Sequence, residues 1–534
     1  MVRSRYDRFV FSRWLCHSST RACFCYVRSV MMLLQDYAIW KLAVLFGYFA
    51  ILIVLAMYGF HRYAIVRLYR KYAGDGDPEP ARHFGDDELP FVTVQLPIYN
   101  ERYVVERIID AACGLDYPSD RLEIQVLDDS TDDTTERARR RVKFWRQRGV
   151  DISLIHRVDR HGYKAGALQE GLRQGRGEFV AVFDADFIPE SDFLRRTVHH
   201  FSDARIGMVQ ARWDYVNRDF SLLTRAQAVL LDGHFVLEHT ARHRSGRFFN
   251  FNGTAGIWRV AAIEDAGGWE HQTLTEDLDL SYRAQLAGWK FRFLRDLTVP
   301  SEIPVTMNAF KSQQHRWAKG ALQTARKVLP RVLRSDFSWK IKLEAFYHLT
   351  GNIAYVLMVM LALLMPMATM VRIQQGWYEV LLLDLPIFFG ATYSICHFYW
   401  VSQRETGQSR LETLRLLPTV LGLGIGLCVN NARGVVEALF RYETPFVRTP
   451  KYAIDRFDES WTSKLYIRKT SLLPIIETGF GIWFSYAIWC IITDAGQSLA
   501  SLPFLLLFQF GFFYVAFVSI SQSLRQLRPG KEVG

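Results

Sequence analysis

Several signatures that often reveal the chemistry of a chain this long, 534 residues, are missing. The seven cysteines fall into no metal-ligand spacing, and three of them (Cys16, Cys23, Cys25) crowd the first 30 residues. Neither a disulfide framework nor a zinc site is implied. A formal net charge of +11 comes without a concentrated basic stripe, so no nucleic-acid partner is expected. The basic opening segment, with Arg3, Arg5, Arg8, Arg13, Arg21 and Arg28, holds no apolar core ahead of a cleavage site. It reads as neither a secretory signal nor a folded element, and a translation start at Met31 or Met32 is expected.

What is present is apolar. Half of the chain is hydrophobic and its mean hydropathy is zero, above ordinary cytosolic composition. Nearly uncharged runs long enough to cross about 30 Å of hydrocarbon are Leu42 to Phe60, Ala345 to Val371, Leu385 to Gln403, Leu472 to Thr493 and Ala495 to Leu524. A long charged stretch separates the first run from the rest. The cations fall mostly beside the runs and in the charged stretch; beside the runs stand Arg62, Arg67, Arg70 and Lys71, then Arg404 and Arg410, then Arg525, Arg528 and Lys531. By the positive-inside bias these ends are expected in the cytosol.

From Phe91 onward, β-branched runs alternate with helical stretches. Phe91–Leu96, Leu122–Leu127, Ile152–Ile155, Glu178–Phe183 and Ile206–Ala211 are expected strands, and the alternation argues for a doubly wound α/β sheet. Ligands of such sheets bind beyond the carboxyl ends of the strands. Here those ends carry Tyr99, Asn100 and Glu101, then Asp128-Asp129-Ser130, then Asp184-Ala185-Asp186.

Asp184 and Asp186 present two carboxylates that suit Mg²⁺ or Mn²⁺ against a diphosphate, and a solvated turn after a strand is the competing reading. Asp128 is placed to accept hydrogen bonds from a nucleoside, with helix capping as the competing role for its neighbours. Lys164, at the start of a small-residue helix, is either a phosphate ligand or a surface lysine. Asp277, in Thr275-Glu276-Asp277, opens an amphipathic helix over Leu278–Ala287; it is a general-base candidate or a source of favourable helix-terminus charge. Gln313, Arg316 and Trp317 share one face of a helix by spacing. They suit a sugar and a diphosphate, although by themselves they read more readily as an interfacial anchor.

Taken in order, Asp128, Asp184-x-Asp186, Thr275-Glu276-Asp277 and Gln313-x-x-Arg316-Trp317 resemble the processive synthases of glycosyltransferase family 2, which include cellulose synthase. Phe251-Asn252-Gly253-Thr254-Ala255-Gly256-Ile257-Trp258-Arg259, Gly267-Gly268-Trp269, Gly288-Trp289-Lys290-Phe291 and Gln313-Gln314-His315-Arg316-Trp317 most resemble the plant cellulose-synthase-like A mannan and glucomannan synthases and their bacterial relatives. The resemblance covers roughly Phe91 to Pro330. It implies a GT-A (Rossmann-like) catalytic domain in the cytosol, inserted between transmembrane helices, in a bacterial inner membrane or, in a eukaryote, the Golgi. It also implies inverting transfer from GDP-mannose, GDP-glucose or UDP-glucose to a growing β-linked glycan. Asp128 would hold the nucleoside, with Tyr99, Glu101 and Lys164 near it, and Asp184 and Asp186 the metal diphosphate. Asp277 would be the base; Arg316 would meet donor phosphate; Glu276, Gln313 and Trp317 would meet the acceptor. Transfer of a single sugar to a lipid is the alternative, and accessory export proteins are possible partners.

Phe446-Val447-Arg448-Thr449-Pro450-Lys451 resembles the Phe-x-Val-Thr-x-Lys gating loop of cellulose synthases, with Arg448 in place of the usual valine. Phe446, Thr449 and Lys451 would belong to a gate over the donor, or to a plain polar connector. A gate must share the face of the catalytic domain. Leu416 to Val429, short and interrupted by Pro418, is therefore expected to lie in the interface rather than to span. The expected organisation is a basic segment at 1–40, a span at 41–60, the catalytic domain at 88–335 and two spans within 345–403. An interfacial helix and gating segment at 404–470, two spans within 471–524 and a cytosolic tail at 525–534 complete it. Glu477 and Asp384 are candidates for lining a path through the membrane, or snorkel at span ends. Aromatic-rich spans fit either a sugar passage or aromatic belts.

Overall fold

A computed structural model describes residues 20–375, 381–442, 449–454, 471–493 and 501–525. Its centre is a seven-stranded sheet. The strands are β1 (Val92–Ile98), β2 (Leu122–Asp128), β3 (Ile152–His156), β4 (Phe179–Val182), β5 (Ile206–Tyr215), β6 (Gly256–Arg259) and β7 (Lys290–Ser301), in the order β3-β2-β1-β4-β6-β5-β7. β2 and β4 are buried at every residue, as expected of strands covered on both faces. Alternation sorts the side chains between two cores. Phe179 and Ala181 join Val94, Leu96, Ile108 and Phe193 on one face, while Val180 and Val182 join Leu168, Trp258 and Leu280 on the other.

β1 pairs in parallel with β2 and with β4, and β2 with β3. Chain order therefore reverses between β1 and β4, where the strand ends open a crevice. All five expected strands are present, and their doubly wound half is the Rossmann-like part. The other half departs from expectation, because β6 runs antiparallel to both β4 and β5 while β7 pairs in parallel with β5. The whole is a mixed, GT-A-like sheet. The short β6 lies in a small-residue stretch, and charged Arg292, Arg295 and Asp296 break the apolar pattern of β7, so neither carries a clear strand signal.

In the sheet domain the helices are α2 (Val105–Cys113), α3 (Thr134–Arg146), α4 (Tyr163–Gln174), α5 (Phe193–Val198), α6 (Leu222–Asp232), α7 (Thr240–Arg244), α8 (Val260–Asp265) and α9 (Glu276–Leu286); α1 (Thr20–Tyr72) precedes them. A π-helix, Gly233–His239, joins α6 to α7. The remainder is helical: α10 (Met307–Arg334), α11 (Trp339–Thr350), α12 (Ile353–Gln375), α13 (Leu381–Glu405), α14 (Arg410–Gly426), α15 (Cys428–Leu439), α16 (Leu473–Thr493) and α17 (Leu502–Arg525).

Among the described residues, five stretches are long and apolar enough to cross a membrane: Ile39–Tyr72, Ile353–Gln375, Arg410–Leu439, Leu473–Thr493 and Leu502–Arg525. Helix α13 holds the expected span Leu385 to Gln403, with Asp384, Ser394, His397, Ser402 and Gln403 among its polar residues. The α14–α15 stretch, expected in the interface, is also long and apolar enough to cross. Yet 61% of its apolar window is buried within the protein, against 28% to 44% for the other four. One of its ends touches the sheet domain, through Glu412 to Arg225 of α6 at 3.5 Å, and the other touches α10, the helix that leaves it, through Glu437 to Lys319 at 3.1 Å.

Helices α1, α13, α16 and α17 each meet the sheet domain, or the helix leaving it, near one end. Arg62 near the end of α1 pairs with Glu238, and Gln403 of α13 donates to Asp232 at 2.8 Å. Glu477 near the start of α16 pairs with Lys311 at 2.7 Å, and Gln522 of α17 accepts the Met307 N–H at 2.7 Å. Glu477 and Asp384 are thus corrected from path-lining or snorkelling to buried, paired groups. Asp384 faces Arg372 at 2.6 Å, and that guanidinium stands 5.1 Å from the Tyr48 ring. A carboxylate in an apolar setting is tolerated because a cation shares its burial.

Candidate active site

Asp128, the last residue of β2, is wholly buried and held from three sides. Its carboxylate accepts from the Ser130 N–H at 3.0 Å and the Thr135 hydroxyl at 2.7 Å, and meets His156 Nδ1 at 2.8 Å. Asp129 forms a bidentate pair with Arg157 at 2.8 and 2.6 Å. The loop after β1 is stitched to the same turn. Asn100, in left-handed backbone at φ +53°, takes the Ser130 hydroxyl as acceptor for its N–H at 2.8 Å and accepts from the Thr131 N–H at 2.8 Å. Its neighbour Tyr99 carries the Arg160 guanidinium 3.3 Å over its ring, a cation–π stack, and the Glu101 carboxylate lies 3.5 Å from the Tyr99 N–H.

Asp184 and Asp186 follow β4, and each is met by a lysine. Lys164, in the first turn of α4, lies 2.5 Å from Asp184 Oδ1 and donates to the Gly253 carbonyl at 2.9 Å. Burial alone would lower the pKa of Lys164, but Asp184, Glu276 and Asp277 together hold it raised. Lys451 lies 2.6 Å from Asp186 Oδ2 and donates to the Glu302 carbonyl at 3.0 Å. The Glu302 carboxylate in turn accepts the N–H groups of Tyr452 and Ala453 at 2.8 and 2.7 Å. Thr449 is buried nearby in sequence, and Phe446 lies outside the described residues.

Asp277 stands in the first turn of α9, its Oδ1 accepting from the Leu278 N–H at 2.8 Å. Burial first, and then Glu276 beside it, push its pKa up to about 7, against the pull of Lys164. Burial likewise raises Glu276. It also lowers Arg316, against the attraction of Glu276, Asp184 and Asp277. Asp277 and Lys164 converge on Gly253, whose φ is +83°. A Cβ there would stand 2.9 Å from Asp277 Oδ2 and 3.3 Å from Lys164 Nζ. Only glycine leaves that space open, and the backbone conformation favours it too.

Helix α10 closes the site. A Cβ on Gly320 would lie 2.6 Å from Thr275 Cγ2 and 2.9 Å from the Thr275 nitrogen, so α10 presses directly on the Thr275-Glu276-Asp277 turn. Gln313, Arg316 and Trp317 precede Gly320 by seven, four and three residues and share its face. All three are half-buried.

Two carboxylates one residue apart offer hard oxygen donors for a divalent ion. Among the described residues no group of three or more His, Cys, Asp or Glu gathers to cage one. Such a donor set suits Mg²⁺ or Mn²⁺ that completes its shell with water and diphosphate oxygens. Sequence reasoning missed His156, Thr135, Glu302 and the role of Gly253. The glycine lay in a motif that marked the resemblance without assigning it a place, and the other three become partners only through the sheet.

Residues 90–320 match the family described as Glycosyltransferase like family 2. The chain is 47% identical over 288 residues to glucomannan 4-beta-mannosyltransferase 1 of Oryza sativa subsp. japonica, covering 52% of this chain and 55% of that one. It is 50% identical over 256 residues to glucomannan 4-beta-mannosyltransferase 2 of Arabidopsis thaliana, covering 47% and 48%. The chain thus spans about half the length of the curated relatives it matches. Among solved structures, the mannosyltransferase PcManGT from Pyrobaculum calidifontis, in complex with GDP-Man and Mn2+, is similar with a TM-score of 0.48 at 21% identity, covering 74% of this chain and 99% of that one.

Proposed function

We propose that this family 2 domain and its apolar helices make up a membrane-embedded, processive, inverting hexosyltransferase that builds a β-1,4-linked mannan or glucomannan from GDP-mannose and passes it across the membrane. The observation that carries this reading is the convergence on Gly253 of a half-buried carboxylate, Asp277, and the Lys164–Asp184 pair. A proton acceptor and a diphosphate-side cluster here flank one side-chain-free space.

In the proposed transfer Asp277 takes the proton of the acceptor hydroxyl as its oxygen forms a bond to the anomeric carbon and the bond to the diphosphate breaks. Arg316 and Lys164 face the charge that develops on the leaving diphosphate. A Mg²⁺ or Mn²⁺ ion held by Asp184 and Asp186 would neutralise part of that charge. Asp128, oriented by His156 and Thr135, is positioned for the nucleoside. Trp317 offers an apolar plane for the terminal acceptor sugar, with Gln313 and Glu276 as its hydrogen-bonding neighbours. Lys451, docked on Asp186, adds a cation to the diphosphate side of the site, as expected of a residue that belongs to a donor gate.

The helix ends support a topology with the catalytic domain in the cytosol. α1, α12, α13, α16 and α17 cross, and the α14–α15 pair, which meets the sheet domain at one end and α10 at the other, lies along the interface. The test is incubation of membranes containing the protein with labelled GDP-mannose, GDP-glucose and UDP-glucose, followed by linkage-specific glycanases. Polymer made from GDP-mannose and cut by a β-mannanase is expected. Polymer made from UDP-glucose alone and cut only by a β-glucanase would overturn the mannan assignment, and label one sugar long in the lipid extract would overturn processivity.

A further inference from the structure

Helix α10 has two functional faces. Gln313, Arg316, Trp317 and Gly320 look toward the catalytic turn. Two residues along a helix point about 200° apart, so Lys311, His315 and Lys319 form a stripe on the opposite side. Lysine is seldom fully buried unless paired, and both lysines of this stripe are buried. Lys311 Nζ lies 2.7 and 2.8 Å from the two carboxylate oxygens of Glu477 on α16, and 2.9 Å from the Ser519 hydroxyl on α17. Asn430 of α15 donates to the Lys311 carbonyl at 2.8 Å. One turn earlier the Met307 N–H, a donor that the helix itself cannot satisfy, is accepted by Gln522 of α17 at 2.7 Å. Lys319 and His315 each lie 3.1 Å from Glu437 of α15.

Apolar contacts between helices tolerate sliding. A buried ion pair does not, because a shift of a fraction of an ångström leaves charge uncompensated in a medium of low dielectric. We infer that Lys311–Glu477 is a positioning pair: it fixes the axial register of α10 against α16 and α17. It thereby sets where Gln313, Arg316 and Trp317 stand relative to Asp277 and to the membrane helices that would receive the product. This rests on the polymerising reading above. The donor groups Asp128, Asp184 and Asp186 belong to the sheet and keep their places when α10 shifts, while Arg316 of α10 faces the charge that develops on the leaving diphosphate as transfer proceeds, so the pair governs transfer and chain growth more than donor capture.

The experiment uses the full-length protein in membranes. It compares the parent with Glu477→Gln, with the double apolar variant Lys311→Met/Glu477→Leu and with the exchanged pair Lys311→Glu/Glu477→Lys, reading donor KM, kcat, product length and thermal stability. Replacing both members of a buried pair by apolar residues is often neutral or stabilising, so the double variant separates folding from register. Expected are a donor KM within roughly twofold of the parent, a kcat at least about tenfold lower and shorter product in both Glu477→Gln and the double variant, as for loss of a group acting on the transfer step. The exchanged pair recovers length, because the Ser519 hydroxyl can donate or accept. A double variant as stable as the parent, with parental kcat and product length, would overturn the inference. So would a rise in donor KM that accounts for the whole loss. A parent that adds only single sugars would overturn the polymerising reading instead, and the KM-against-kcat split would still decide the pair.

Discussion

At the residue scale the proposed chemistry turns on Asp277, whose burial both costs stability and tunes its basicity. Asp277→Asn should lower kcat by roughly 10²- to 10⁴-fold, the usual worth of a general base, while equilibrium binding of nucleotide-sugar stays within a few-fold of the parent. The ionised carboxylate is the working form and its pKa is raised to about 7. The pH profile of kcat/KM should therefore climb with pH and level off above about 7. Lys164 stabilises the ionised form, so Lys164→Met should move that limb to higher pH. Stability runs the other way. A carboxylate raised from 3.8 to about 7 is penalised in the fold as it ionises, a cost that sets in above the lower value and is complete above the higher. Asp277→Asn is accordingly expected to raise Tm at pH 8 and to leave it nearly unchanged at pH 4, as read by thermal unfolding across that range. Asp277, Asp184 and Asp186 were legible because each sits at the end or start of an element with a recognisable pattern. His156, Thr135 and Glu302 were not, since nothing local marks a histidine or a glutamate that finds its partner only through sheet pairing or across a loop.

At the element scale α10 is the part on which the site depends most. Its approach to the Thr275-Glu276-Asp277 turn is set by the missing side chain of Gly320. Gly320→Ala must push against Thr275 backbone as well as side chain. The expected result is a loss of about 1–3 kcal/mol in stability, the range for overpacking, together with a fall in kcat larger than that in the proportion folded. Circular dichroism at fixed temperature alongside initial rates would separate the two. The helical face of Gln313, Arg316 and Trp317 could be read from spacing, because a period of 3.6 is a local property. The opposite face could not: Lys311, His315 and Lys319 repeat every four residues, but Glu437 and Glu477 lie over a hundred residues further along the chain. β6 was missed for a related reason. A strand of four residues is held by its neighbours β4 and β5 more than by its own propensity.

At the scale of the whole molecule, the helix ends make orientation testable. In a background lacking reactive native cysteines, single cysteines at Arg410 and Tyr442, either side of the α14–α15 pair, should react with an impermeant maleimide from the same face of a sealed vesicle. One at Gln375, at the end of α12, should react from the other face. Labelling of Arg410 and Tyr442 from opposite faces would show that the pair crosses. Removal of divalent ions by a chelator should abolish transfer, with Mg²⁺ or Mn²⁺ restoring it, because Asp184 and Asp186 offer oxygen ligands and no soft donor. Composition, periodicity and the order of short motifs by themselves determined that this is a membrane-associated chain with an α/β nucleotide-type domain, and which carboxylates end its strands. These are properties of neighbouring residues, and neighbouring residues suffice to express them. The mixed direction of the sheet, the space kept open at Gly253, the two-sided role of α10 and the pairing of Glu477 and Asp384 were decided only by tertiary structure. Burial turns a charge in an apolar run from a snorkelling group into a fixed contact, and its partner is chosen by packing across the fold.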